Sequence, residues 1–152
     1  FSLKRYADDK AQKEASSQTD EEKEANALTA YADRNSKFED FRLPGAIFKL
    51  KVDNTHPMAY GYPTHYFTLK NNSSRYSYLP NGWNVGIIES ADSHVAGVAG
   101  DKVKESLAKS MVFGVENKGR GAVIYMSDNP LFRAFWENGK LFMANSLFFV
   151  GQ

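Results

Sequence analysis

Residues 46–53 alternate cleanly. Phe48, Leu50 and Val52 fall on one face and Lys49 and Lys51 on the other, and this period of two predicts a strand with one wet face. Residues 66–70, 75–79 and 84–89 are shorter strand candidates, parted by the turn-forming runs Asn71-Asn72-Ser73-Ser74 and Pro80-Asn81-Gly82. Asn54-Thr55-His56-Pro57 and the Gly/Tyr/Pro stretch that ends at Pro63 read as a loop, because each proline restricts the residue before it. Further on the pattern changes. Residues 111–115 and 122–126 are continuous apolar runs, the signature of strands covered on both faces, and Lys118-Gly119-Arg120-Gly121 between them reads as a hairpin turn.

Helical patterning is confined to three stretches of the folded region. After the Gly97 to Gly100 turn, Asp101 is placed to cap a helix that sets Val103 and Leu107 on one face, with charged positions elsewhere, which predicts a surface helix. Asp128-Asn129-Pro130 offers a polar cap followed by proline where a first helical turn tolerates it, so a helix over 131–137 is expected, broken at Asn138-Gly139. Residues 140–150 are apolar nearly all round and predict a second, buried helix. Residues 7–32, by contrast, are polar, with Leu28 the only large aliphatic side chain before Tyr31. The chain therefore divides into a polar linker or insertion over 1–18, an exposed helix and connection over 19–42 that starts at the Thr19/Glu22 capping box, and a folded region over 43–152.

At 152 residues one core is expected. The 19 basic and 18 acidic groups leave a formal charge of +1, which gives no field to draw nucleic acid or an anionic membrane. No apolar run reaches the roughly 18 residues that suggest a membrane span. The opening Phe1-Ser2-Leu3 has neither an initiator Met nor a signal-peptide pattern, so upstream sequence is expected. A cysteine count of zero removes thiol nucleophiles, thiolate metal sites and disulfides together.

Candidate chemistry is sparse. The histidines are His56, His65 and His94; none belongs to an HExxH pair, and ordinary loop histidines are favoured over a metal shared by His56 and His65. A GxSxG elbow and a GxxxxGK[ST] cradle are both missing from the sequence. Three sets of binding candidates remain. Tyr60, Tyr62, Tyr66, Tyr76, Tyr78 and Trp83 are dense enough to form a stacking platform for a glycan or peptide, although aromatics on strands more often pack on a neighbour. Asp53, Thr55 and His56 either line a pocket or satisfy the backbone of their own turn. Asp128 and Asn129 end a buried strand at a helix start, where open α/β sheets bind ligands. An enzymatic alternative groups Asp53, His56, Asp128 and Arg133, with the carboxylates as acid and base.

Two stretches, Pro44-Gly45-Ala46-Ile47-Phe48-Lys49-Leu50-Lys51-Val52-Asp53-Asn54-Thr55-His56-Pro57 and Lys118-Gly119-Arg120-Gly121-Ala122-Val123-Ile124-Tyr125-Met126-Ser127-Asp128-Asn129-Pro130-Leu131-Phe132-Arg133-Ala134-Phe135-Trp136, resemble the C-terminal region of bacterial zinc carboxypeptidase-like proteins, as does the closing 140–149. The last domain of that family is glutamine-amidotransferase-like. The resemblance implies an α/β fold, the later part of a doubly wound, flavodoxin-like sheet with added short antiparallel strands, whose earlier half is an upstream part of the same polypeptide. It implies zinc in an upstream peptidase domain and no cofactor in this chain. Localisation would be periplasmic, outer-membrane-associated or extracellular, and the role that of a non-catalytic accessory domain supporting the peptidase or recognising substrate. A trehalose-utilisation-type relative would carry a Gly-His pair where this chain has Asp128-Asn129, which argues against a histidine-based site. Glutaminase activity would need a cysteine nucleophile that the chain lacks.

Overall fold

The computed structural model describes residues 39–151, together with Leu3, Leu28 and Ala30. The linker expected over 8–18 and the helix expected from Thr19 lie outside the described residues. Strand β1 (Gly45–Val52) buries Ala46, Phe48, Leu50 and Val52 and turns Lys49 and Lys51 to water, as the alternation requires. Strand β2 (His65–Lys70) pairs antiparallel with it and follows the same period, with Tyr66, Thr68 and Lys70 facing inward. The opposite edge of β1 is shared: β3 (Trp83–Ile88) pairs with its end and β4 (His94–Val98) with its beginning, both antiparallel. Strand β5 (Ser110–Lys118) pairs with β3, and β6 (Gly121–Met126) with β5, giving the order β2-β1-β3-β5-β6 with β4 beside β1.

The fold is thus mixed α/β, dominated by a curled antiparallel sheet with two helices, α1 (Asp101–Leu107) and α2 (Glu137–Phe148). This sheet is not typical of the doubly wound, flavodoxin-like architecture that the resemblance implies. Parallel strands need crossover connections of a dozen or more residues, whereas β5 and β6 meet across Gly119-Arg120, with Lys118 opposite Gly121. Gly119 adopts φ +60°, the left-handed conformation that such a tight turn requires. The continuous apolar run in β5 arises without parallel pairing, because both faces are covered. Phe113 stacks on Phe142 of α2 at 4.7 Å, and on the other side Leu79 lies so close to Gly114 that a Cβ there would meet its Cδ1 at 2.8 Å. The matching run in β6 is only half-buried, so β6 is not covered on both faces.

Four further expectations need correction. Residues 75–79 form no strand; Met111 donates its N–H to the Tyr76 carbonyl, and both backbone groups of Leu79 bond to the Asn84 side chain at 2.8 and 3.2 Å instead of to a ladder. The helix expected over 131–137 is a short turn at Phe132–Ala134, because Arg133 and Ala134 take φ values of 51° and 60°. Helix α2 runs through Asn138-Gly139, and the glycine serves packing: a Cβ on Gly139 would overlap the Pro130 carbonyl oxygen. Nor is this helix buried all round, since it covers Phe142, Asn145 and Ser146 but exposes Leu141, Leu147 and Phe148. Trp136 Nε1 and Asn138 Nδ2 both donate to the Phe67 carbonyl, at 3.3 and 2.9 Å, which covers part of the outer edge of β2.

Candidate functional site

The loop that leaves β1 shapes itself with its own side chains. Asp53 donates its backbone N–H to the Val85 carbonyl at 2.9 Å, which ties the loop to β3. Its Oδ1 accepts from both the N–H and the hydroxyl of Thr55, at 3.1 and 2.6 Å. His56 then caps the short helical turn Pro57–Ala59, its Nδ1 accepting the Met58 N–H at 3.1 Å. An acceptor at Nδ1 leaves the proton of the neutral imidazole on Nε2. Burial lowers the pKa of His56 from its ordinary value, and the Asp53 charge partly opposes this.

Trp83, at the start of β3, stands 5.6 Å from the His56 ring and keeps 46% of its surface exposed. Val115 and Asn117 of β5 and the segment Phe149–Val150–Gly151 complete an open cleft of about 390 Å³ lined also by Asp53, Thr55, His56 and Pro57. The C-terminal wall is held in place through α2. Asn145, buried in the contact, donates to the Met58 and Tyr60 carbonyls at 3.1 and 2.8 Å, and Tyr60 meets Phe149 edge-on at 6.1 Å. Asp53, Thr55 and His56 therefore both order their turn and line a pocket, the two roles that the sequence left open.

The remaining sequence candidates lie elsewhere. Tyr62 belongs to the core, stacked on Phe142 at 4.2 Å; its hydroxyl donates to the Asn138 carbonyl and accepts the Phe142 N–H. Burial pushes its pKa up, opposed by hydrogen bonding to the backbone of Phe142 and Leu141. Tyr66 packs edge-on against Tyr62, Phe113 and Phe142, so the tyrosines do not form one platform. Asp128 is not a helix cap. Its side chain, 1% exposed, pairs with the equally buried Lys70 ammonium at 2.8 Å and accepts the Thr68 hydroxyl at 2.9 Å. Asn129 shapes the turn before Phe132–Ala134, its Oδ1 accepting the Leu131 N–H two residues on at 2.9 Å. Both line a second cleft of about 410 Å³ with Met126, Pro130, Leu131 and Met143. Arg133 is exposed over the Phe132 ring, 5.2 Å away, and lines neither cleft. The acid–base set Asp53, His56, Asp128 and Arg133 is not assembled.

Sequence reasoning missed Asn117, the wall at 149–151 and the partner of Asp128. Only the last had a signal: Lys70 shares the inward register of Tyr66 and Thr68, and a lysine facing a core needs a carboxylate. Among the described residues no group of three or more His, Asp or Glu side chains is gathered to hold a metal, and no helix is long and apolar enough to cross a membrane. No protein-family model, curated protein or solved structure matches this chain.

Proposed function

We propose that this chain is a non-catalytic binding domain that takes a small polar ligand, the end of a glycan or of a peptide, in the cleft between the β1 loop and the C-terminal segment. One observation carries the reading: a large exposed aromatic face, Trp83, borders a concave site together with Asp53, Thr55, His56 and Asn117, whose polar atoms the turn uses only in part. An apolar surface with a few convergent polar groups is what ligand sites consist of. Service to a secreted or envelope zinc carboxypeptidase-like parent is the wider role the sequence resemblance suggests; the antiparallel sheet lends no support to its flavodoxin-like part.

Retention of the protein on immobilised oligosaccharides and peptides tests the reading. Wild type should be retained on at least one and Trp83→Ala on none; failure of the wild type on all of them overturns it. Tyr62 does not serve this test, since it packs against the core and its replacement would damage that packing. The wider role is tested by assaying carboxypeptidase activity and bound zinc in the intact polypeptide beside this chain.

A further inference from the structure

The polar atoms left over in the cleft define what fits it. Asp53 has committed Oδ1 to Thr55, and its Oδ2 has no hydrogen-bond partner among the described residues. His56 has committed Nδ1 to the Met58 N–H, so the imidazole can offer the cleft only the Nε2–H, a donor. Thr55 Oγ1 keeps acceptor capacity after donating to Asp53, and the Asn117 amide makes no bond to the described residues. Among the described residues no Lys or Arg lines the site.

These commitments sort ligands by charge. An anion would face the Asp53 carboxylate with no Lys or Arg of the described lining to offset it. A cation would find the carboxylate and the indole face but would offer no acceptor to the Nε2–H of His56. A hydroxyl satisfies both, since it donates to Asp53 and accepts from His56 at once. We propose that the cleft binds a neutral sugar, holding adjacent ring hydroxyls between Asp53 and His56 with a C–H face of the ring against Trp83. This inference rests on the reading of the cleft as a ligand site.

The test is saturation-transfer NMR with neutral gluco-, manno-, galacto- and xylo-oligosaccharides, run beside glucosamine, glucuronate and free-ended tripeptides. Binding of one or more neutral sugars, with glucosamine and glucuronate at least tenfold weaker, is expected. Trp83→Ala should lose at least tenfold in affinity, Asp53→Asn should lose similarly, and Lys49→Ala on the far face of β1 should match wild type. If Trp83→Ala fails to fold, shielding of the exposed indole of wild type from acrylamide by the bound sugar replaces it. Trp83-dependent binding of a peptide or a charged sugar in preference to neutral ones overturns the ligand class and leaves the site reading standing. Binding that ignores Trp83→Ala, or an indole not shielded by sugar, overturns this inference, and silence from every probe overturns both.

Discussion

Replacing Lys70 by methionine removes one half of the buried pair and leaves the Asp128 carboxylate in the interior with, among the described residues, only the Thr68 hydroxyl bonded to it. Both charged side chains are 1% exposed, so water cannot take over the missing partner without opening the structure. Breaking such a pair from one side costs about 3–5 kcal/mol, a large share of the roughly 5–15 kcal/mol that holds a domain together. With a urea m value of about 1.5 kcal/mol/M, a loss near 4 kcal/mol moves the unfolding midpoint down by roughly 2.7 M. Removing the whole polar group tests the cause. In Thr68→Val/Lys70→Met/Asp128→Leu all three members of the set are replaced by apolar groups, and stability should return to within about 1 kcal/mol of wild type or exceed it. A single Lys70→Met that costs under about 1 kcal/mol, or a triple variant no better than the single, would refute the claim that this is a desolvated, mutually dependent set.

Gly139→Ala drives a methyl group into the Pro130 carbonyl and to 2.8 Å from the Tyr66 hydroxyl, so it should lower the thermal midpoint by several degrees in scanning calorimetry, in line with roughly 1–3 kcal/mol of overpacking. The pH response of His56 has a definite sign. Its folded-state pKa is depressed below the ordinary 6.5, so the folded protein binds fewer protons than the unfolded chain; its contribution is complete above 6.5 and declines as pH falls through the lowered value. The new proton must occupy Nδ1, which also removes the acceptor of the Met58 N–H. Asn at position 56 can cap the turn without titrating, so denaturation midpoints measured between pH 7.5 and 4.5 should fall less for His56→Asn than for wild type. Equal declines would show that His56 is not the responsible group.

The sequence was informative where one period dominated and where a turn left no choice. The alternation at 46–53 became β1 with its predicted inward residues, and the Lys118–Gly121 run became a tight hairpin. Direction of pairing was not legible, because a short unbroken apolar run looks the same whether a parallel layer or a returning segment such as the one bearing Leu79 covers its second face. Strand β4, His94-Val95-Ala96-Gly97-Val98, was hidden because its residues are exposed or half-buried and show no inward period, and it pairs along the backbone of β1. Gly139 misled as a helix breaker because its small size served a contact distant in the chain. In the cleft, the β1 loop and Trp83 were visible as residues with something to offer, whereas Asn117 and the wall at 149–151 joined them only through tertiary packing.

The divided edge of β1 has a consequence for synthesis. A strand that must be joined by β2 on one side and by both β3 and β4 on the other cannot complete its pairing until Val98 has been made, well after β1 itself. On a ribosome adding about 5–20 residues per second, β1 would wait some seconds with Phe48, Leu50 and Val52 incompletely covered. The lysines at 49 and 51 give the nascent strand a charged face during that interval, the kind of placement that discourages association with neighbouring chains.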